Sequence, residues 1–133
     1  MPEMGAQENA ALVRRGYEAF IAGDMDTLRD LFAEDAVWHV GGTGVLSGDK
    51  KGRDAVLSYF GELGTRSNGS MRVTVEDVAA GDRYTVGVQF SHAERNGKTL
   101  ELRQVIVFSI VDGKVTEGTE MQEDTTAVAD FWS

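Results

Sequence analysis

The dipeptide Asn96-Gly97 constrains the fold most, because it lies between two long segments in which apolar and polar residues alternate. Asn-Gly is a preferred centre for a two-residue type I′ turn, since both positions need a positive φ. A two-residue turn fixes the register of the strands on either side of it. It therefore pairs Arg95 with Lys98, sets Gln89 opposite Gln104, and assigns each side chain of the hairpin to a face.

This register gives two faces that are both partly apolar. The first face carries Gly87, Gln89, Ser91, Ala93, Leu100, Leu102, Gln104, Ile106 and Phe108. The apolar residues of the second face are Val86, Val88, Phe90, Val105 and Val107. One face must take the helices, and the other exposes more apolar surface than a monomer usually does. We expect a homodimer through the second face, with His92, Glu101 and Arg103 as its polar rim. The alternative is a sheet edge that curls over its own back.

The order of the remaining elements predicts one α+β domain over residues 1–133, with helices first and an antiparallel meander afterwards. Apolar spacing of 3.6 residues predicts helices over 8–22, after Asp24 and from Arg53. Alternation predicts strands over 36–40, 71–80, 83–95, 98–111 and 114–122. Residues 41–50 are expected to form a Gly-rich loop, Asp112-Gly113 a second tight turn, and Asp124 the cap of a last short helix.

Composition and charge exclude several kinds of partner. A net charge of −9 disfavours nucleic acid, which needs clustered Lys and Arg, and disfavours anionic membranes. No apolar run approaches the roughly 20 residues that span a bilayer, and Met1–Gln7 lacks the features of a signal peptide. The absence of cysteine excludes disulfides, thiolate metal sites and a cysteine nucleophile. It is compatible with a reducing compartment, so we expect a cytoplasmic protein.

Four segments resemble the SnoaL-like group of the nuclear transport factor 2-like superfamily. They are FIAGDMDTLRDLFAEDAVWHV, GRDAVLSYF, DGKVTEGTEMQED and DFWS. The resemblance covers nearly the whole chain. It implies a strongly bent antiparallel sheet that forms a cone, closed by N-terminal helices around a ligand cavity, and often a homodimer. The superfamily includes isomerases, cyclases, dehydratases, epoxide hydrolases and binding domains, so the fold alone does not give the reaction.

Ketosteroid isomerase, a relative within that superfamily, uses a helix-1 Tyr and a protonated Asp as oxyanion donors and a second Asp as base. Aligned through the segment AGDMD, these three positions fall on Gly16, Ile106 and Val40. None of these residues can donate or accept a proton through its side chain. The standard residues of that enzyme are therefore absent. An epoxide-hydrolase site is also disfavoured, because Arg103 faces outward in the predicted register.

The same alignment places Glu120 and Gln122 inside the cone, near Gln89 and Gln104. A carboxyl group in an apolar cavity has its charged form disfavoured, so its pKa should rise toward the range useful for general acid or base catalysis. The hypothesis is that Glu120 moves a proton on a bound carbonyl or hydroxyl compound while Gln89 and Gln104 orient it. The alternative is that Glu120 lies solvated at the mouth of the cone.

His39 is the second catalytic candidate, although it points outward if Trp38 and Val40 point inward. The expected substrate contacts are Tyr17, Phe20, Trp38, Val40, Tyr59, Gln89, Gln104, Ile106 and Gln122. Gly42 and Gly44 are expected in a mobile lid over the mouth. No metal or cofactor is expected, because the two His residues lack spaced carboxylate partners and the segment GGTGVLSG is not a dinucleotide fingerprint.

These residues favour cofactor-independent acid/base chemistry, namely cyclisation, isomerisation or dehydration, on a polyketide- or steroid-like apolar compound. The first alternative is a domain that binds or sequesters a small molecule without turnover. The second is an accessory domain that acts through its dimer face.

Overall fold

In the computed structural model, which describes residues 5–133, the chain forms four helices and one six-stranded sheet. The helices are α1 Ala6–Ala22, α2 Met25–Leu31, α3 Arg53–Arg66 and α4 Thr125–Trp132. The strands are β1 Phe32–Val40, β2 Gly48–Lys51, β3 Arg72–Ala80, β4 Thr85–Arg95, β5 Lys98–Val111 and β6 Lys114–Gln122. The first four residues, which belong to the predicted domain 1–133 and to the segment expected to lack a signal peptide, lie outside the described residues.

The hairpin register predicted from Asn96-Gly97 is confirmed at every pair from Arg95 with Lys98 to Thr85 with Phe108. Asn96 and Gly97 have φ angles of 52° and 79°, as a type I′ turn requires. The turn at Asp112-Gly113 has the same signature, with φ angles of 51° and 75°. Two tight turns therefore fix β4, β5 and β6 against one another.

The sheet order is β2-β1-β6-β5-β4-β3, and β1 with β6 is the parallel pair. Irregularities interrupt the β3–β4 pairing between Val75 and Asp77 and the β5–β6 pairing between Ser109 and Ile110. Such bulges bend a sheet and increase its twist. The predicted α+β class with a bent sheet is confirmed.

Two boundaries differ from prediction at the N-terminal side of the sheet. β1 begins at Phe32 rather than Ala36, and Gly48–Lys51 forms the edge strand β2 inside the segment predicted as a loop. This short strand has the sequence Gly-Asp-Lys-Lys and carries no apolar side chain, as is common for edge strands. The pattern therefore gave no signal for it.

The helices pack on the inner face of the bent sheet. α1 contacts β3 and β4, while α3 contacts β1 and β2. α1 ends at Gly23, whose φ of 72° suits a left-handed helix cap, and Asp24 then caps α2 through the Thr27 amide. Among the described residues, no helix is long and apolar enough to cross a membrane.

The outer face of β4 and β5 carries the five predicted apolar side chains, all half-buried: Val86, Val88, Phe90, Val105 and Val107. Met121 on β6 pairs with Val105 and is 53% exposed, so it extends this apolar surface. At one side of it, Arg103 forms a bidentate ion pair with Glu76 at 2.6 and 3.1 Å. We call these six apolar residues the outer apolar patch.

Candidate functional site

The inner face of the sheet and the four helices enclose a cavity of about 90 Å³. Its aromatic wall consists of Tyr17, Phe20, Phe32, Trp38, Tyr59, Phe60, Phe108 and Trp132. The Trp38 ring meets Phe60 at a centroid distance of 5.0 Å and Phe108 at 5.8 Å, both edge to face. An engineered apolar cavity that binds benzene has a volume of about 150 Å³. In this conformation the cavity is therefore smaller than one that holds a benzene ring.

Glu120 is the one carboxylate among the described residues that line this cavity. It is 8% exposed. Its Oε2 accepts hydrogen bonds from Trp38 Nε1 at 2.7 Å and the Tyr59 hydroxyl at 2.9 Å, and its Oε1 accepts from Gln122 Nε2 at 3.0 Å. All three partners are donors, and an ionised carboxylate can only accept. The donor set therefore suits the charged form of Glu120.

Burial raises the pKa of Glu120 above its ordinary value, because a charge loses its hydration inside the protein. The hydrogen bonds from Trp38, Tyr59 and Gln122 act in the opposite direction, as does the positive charge of Lys50. Desolvation is the largest of these effects. Three donors thus fix the orientation of the Glu120 carboxylate, and burial makes it easier to protonate than a surface glutamate. A raised carboxylate pKa is a common property of proton-transfer groups.

A chain of amide groups leads away from Glu120 across the inner face. Gln104 Nε2 donates to Gln122 Oε1 at 2.5 Å, and Gln89 Nε2 donates to Gln104 Oε1 at 2.9 Å. Ser91 closes the far end, because it donates to Gln104 Oε1 and accepts from Gln89 Nε2 at 3.1 Å. The glutamines thus bond to one another as well as facing the cavity.

Glycines in the strands make room for two of the cavity aromatics. A Cβ at Gly118 would lie 2.2 Å from the Trp38 ring, and a Cβ at Gly87 would lie 2.3 Å from the Tyr17 hydroxyl. A glycine inside a strand often marks a close approach of this kind. Gly118 is directly opposite Trp38 in the β1–β6 pairing, so the ring crosses the neighbouring strand toward Glu120.

The Tyr17 hydroxyl is the unpaired polar group of the site. It is buried and has no hydrogen-bond partner within the described part of the chain. Burial first, and then the charge of Glu120, raise the pKa of Tyr17 above its ordinary value, so the hydroxyl keeps its proton. It can therefore act as a donor to an oxygen atom that reaches it.

Loop 41–47 and α4 close one end of the cavity together. Gly44 is so close to α4 that an added Cβ would lie 2.9 Å from the Ala129 Cα. Gly44, Ala129 and Trp132 all line the cavity. The β4–β5 hairpin in turn binds the end of α4, because Arg95 donates to the Ser133 carbonyl at 2.5 Å. The loop expected as a lid is thus packed on the C-terminal helix.

The structure brings the predicted substrate contacts together around one cavity. The lining includes Tyr17, Phe20, Trp38, Val40, Tyr59, Gln89, Gln104, Ile106 and Gln122, with Glu120 among them. The three positions at which ketosteroid isomerase has its functional groups, Gly16, Val40 and Ile106, also line it and offer no ionisable side chain. The predicted substrate contacts thus form one continuous surface.

His39, the second catalytic candidate, lies outside the cavity, as expected if Trp38 and Val40 point inward. Its ring lies on the opposite face of β1 from Trp38, with Nδ1 2.7 Å from Asp49 and Nε2 2.6 Å from Glu117. Alternation along a strand sends neighbouring side chains to opposite faces, and the inward Trp38 therefore sends His39 outward. The two carboxylates raise the pKa of His39, Asp49 being the stronger influence.

Sequence reasoning missed the part played by Lys50. Its Nζ donates to the Leu46 carbonyl at 2.8 Å and lies 5.3 Å from the centre of the Tyr59 ring. Lys50 belongs to β2, the strand that the apolar pattern does not reveal.

Across residues 5–133, no group of three or more His, Cys, Asp or Glu residues is arranged to hold a metal ion.

Comparison with known proteins gives consistent matches. A sequence model of the SnoaL-like domain matches residues 13–118. An uncharacterised protein of Mycobacterium tuberculosis is 35% identical over 123 residues, which are 92% of this chain and 94% of that protein.

Solved structures agree over almost the whole chain. The structure of Bal32a, from a soil-derived mobile gene cassette, is 40% identical with a TM-score of 0.94, over 96% of this chain and 98% of that one. A candidate polyketide cyclase from Xanthomonas campestris is 25% identical with a TM-score of 0.74, over 96% and 98% of the two chains. An NTF2-like protein from Burkholderia xenovorans, 24% identical with a TM-score of 0.82 over 98% and 100% of the chains, shares the fold.

Proposed function

The chain belongs to the SnoaL-like domain family, and from that premise we propose that it catalyses cofactor-independent proton transfer on a small apolar compound. The observation that carries this proposal is Glu120, a buried carboxylate in an aromatic cavity with three hydrogen-bond donors around it. A general base needs access to the substrate, a fixed orientation and a pKa moved toward the working pH. The cavity position, the donors and the burial of Glu120 support these three requirements in turn.

The chemistry follows from that single base. Glu120 removes a proton from a carbon next to a carbonyl group, which leaves an enolate and a protonated Glu120. Return of the proton to another carbon completes an isomerisation. Protonation of a departing hydroxyl completes a dehydration, and attack of the enolate on a second carbonyl within the substrate, followed by protonation of the new alkoxide, completes a cyclisation. Tyr17, with its unpaired hydroxyl, is the proposed donor to the carbonyl oxygen.

The size of the cavity limits the substrate. A volume of about 90 Å³ is below the roughly 150 Å³ of a cavity that holds benzene, so it suits at most a short chain. A polyketide- or steroid-like compound is larger, so its binding requires the cavity to widen, and loop 41–47 with α4, which close one end, are the proposed elements that move. The similarity to a candidate polyketide cyclase supports such a ring-forming substrate.

The test of the proposal is Glu120→Gln, with Glu117→Gln as the matched control on the outer face of the same strand. Purified variants are incubated with a metabolite mixture, and mass spectrometry measures bound and converted species. The wild type and the control should convert the same compound. Glu120→Gln should lose about 100-fold or more of turnover, because no carboxylate remains to take the proton. Full turnover by Glu120→Gln would remove the proposed mechanism.

The second candidate function is binding without turnover. It is favoured by one observation: Glu120 already accepts hydrogen bonds from Trp38, Tyr59 and Gln122, so it is satisfied without any ligand. In the same mixture, a compound retained by the wild type but recovered unchanged would support a sequestering domain. No retained compound at all would leave the dimer face as the functional surface.

The outer apolar patch is proposed to bind a second copy of this chain. Val88 and Val105 face each other at its centre, and Arg103 with Glu76 provides both charge signs at its rim, as a self-complementary contact needs. Sedimentation should give twice the mass of one chain for the wild type and one chain mass for Val88→Glu. Val45→Glu, at a loop residue that is 57% exposed, is the control and should remain dimeric. A monomeric wild type would contradict this proposal.

A further inference from the structure

The three glutamines of the cavity form one row across three strands. In the antiparallel register, Gln89 on β4 is directly opposite Gln104 on β5, and Gln104 is directly opposite Gln122 on β6. Glu120 is two residues before Gln122 and therefore shares its face. Gln89 and Gln104 are 6% and 8% exposed. Paired strands thus fix the order of these side chains.

The amides of this row all donate in the same direction, toward Glu120. Gln89 donates to Gln104, Gln104 donates to Gln122, and Gln122 donates to Glu120. Ionised Glu120 can only accept, so Gln122 must turn its nitrogen toward it and its oxygen toward Gln104. Gln104 must then turn its own nitrogen to Gln122 and its oxygen to Gln89. The charge at one end therefore sets the orientation of the whole row.

We propose that Gln104 is a positioning residue for Glu120, acting through Gln122 to fix the orientation of the carboxylate and to favour its ionised form. The inference rests on the proposed function only in taking Glu120 as the group that acts on the substrate. Gln104 is at the centre of the row and, among residues 5–133, is the only link between Gln122 and the pair Gln89 and Ser91. It does not touch Glu120 in the hydrogen-bond network.

Two physical effects give Gln104 this influence. Aligned amide dipoles direct their positive ends toward the Glu120 oxygen, and hydrogen bonds in a chain polarise one another in a medium of low dielectric. Ser91 is 1% exposed and donates to Gln104 Oε1, so it favours the same orientation of the Gln104 amide, with the nitrogen toward Gln122. When Glu120 is protonated, it can donate to Gln122, and the row can then reverse. Proton state and amide orientation are therefore coupled.

The other titratable groups around Glu120 come from each element packed against it. Lys50 on β2 favours the ionised carboxylate by its charge. Tyr59 on α3 donates to it, and burial, ahead of the charge of Glu120, keeps the pKa of Tyr59 well above its ordinary value. Burial, and then the charge of Glu120, raise the pKa of Tyr17 on α1 as well. A change at Gln104 leaves all three of these groups in place.

Trp38 provides a direct readout, because its indole nitrogen donates to Glu120 and a protonated carboxyl group beside an indole alters its fluorescence. The chain has two tryptophans, so Trp132→Phe leaves Trp38 as the only tryptophan, and its emission is excited selectively over that of the three tyrosines. In that background, fluorescence is followed against pH while circular dichroism monitors folding. Loss of the transition in Glu120→Gln assigns it to Glu120. This titration needs no substrate.

Gln104→Met removes the amide but keeps an unbranched side chain of similar length. It should raise the titration midpoint by about half to one pH unit, which is roughly a three- to tenfold gain in proton affinity. Gln122→Met should raise it at least as much, and adding Gln104→Met to Gln122→Met should then change nothing further. Leu102→Met, a substitution of similar volume on the same face of β5 but outside the cavity lining, is the control and should leave the midpoint unchanged.

An unchanged midpoint in Gln104→Met would overturn the inference. So would a double variant in which adding Gln104→Met to Gln122→Met raises the midpoint as much as Gln104→Met does alone. If Gln104→Met does not fold, Ser91→Ala replaces it, with a smaller rise expected and an unchanged midpoint counting against the inference. Failure here leaves the turnover test of Glu120→Gln intact. Conversely, full turnover by Glu120→Gln would remove the proposed function without altering the titration result.

Discussion

Replacing Gly118 by alanine tests the packing that places a donor against Glu120. Gly118 is in the middle of β6, directly opposite Trp38 on β1. An added Cβ would lie 2.2 Å from Cζ3 and 2.3 Å from Cε3 of the Trp38 ring. Carbon atoms in contact are normally about 3.5 to 4.0 Å apart. The ring must therefore move by more than 1 Å, since the clash is with a rigid aromatic system.

The ring has little room for that movement. Trp38 is 3% exposed, and Phe60 and Phe108 pack against it edge to face. Overpacking a core costs about 1 to 3 kcal/mol. Displacing the ring also breaks its hydrogen bond to Glu120, and a lost bond to a buried charged group costs a further 1.5 to 3 kcal/mol or so. We expect Gly118→Ala to reduce the free energy of unfolding by about 3 to 5 kcal/mol.

Urea unfolding followed by tryptophan fluorescence measures this loss. Gly61→Ala is the matched control, because Gly61 lies in α3 and an added Cβ there meets nothing within 4 Å. Alanine in an exposed helix should stabilise by about 1 kcal/mol relative to glycine, so the two substitutions should have opposite signs. If the free energy of unfolding of Gly118→Ala is within about 0.5 kcal/mol of the wild-type value, the close approach of Trp38 to Gly118 is wrong.

Two further predictions concern Tyr17 and His39. Tyr17→Phe should leave the thermal unfolding temperature unchanged or slightly higher, because the hydroxyl it removes is buried without a partner. It should also reduce the loss of stability caused by Gly87→Ala, whose added Cβ would contact that hydroxyl. A clear loss of stability in Tyr17→Phe would mean that the hydroxyl has a partner. His39 has its pKa raised by Asp49 and Glu117, so its stabilising effect is complete below its unfolded pKa of about 6.5 and is lost as the pH rises through the higher folded pKa. The stability difference between the wild type and His39→Gln should accordingly be larger near pH 6 than near pH 9, and equal differences would contradict the ion-pair geometry.

The meander could be predicted from sequence because each step of it is local. A two-residue turn at Asn96-Gly97 leaves one register, and a period of two then assigns every side chain to a face. The row from Gln89 to Gln104 follows from this rule alone, and it is observed. The inward position of Glu120 came from the family resemblance instead, and the parallel pairing of Val40 with Glu120 agrees with it.

The closure of the cavity could not be predicted in the same way. β2 has no apolar alternation, so the sequence pattern does not place Lys50 beside Tyr59. The β4–β5 hairpin holds α4 through an ion pair of Lys98 with Asp130 and through hydrogen bonds from Arg95 and Lys98 to backbone carbonyls, and these two residues are far from α4 in sequence. Contacts of this kind are set by the assembled tertiary structure and leave no periodic trace in the chain.

The donors around Glu120 lie between these two cases. Trp38 reaches Glu120 only because β1 pairs in parallel with β6, and no turn fixes that long-range pairing. Yet the chain carries one mark of the contact, since a glycine in the middle of a strand indicates that a neighbouring group approaches the backbone closely. Gly118 shows where space is needed but not which ring fills it. The face of Gln89 and Gln104 can therefore be inferred from the pattern of their strands, whereas the donors around Glu120 depend on contacts between elements that are far apart in the sequence.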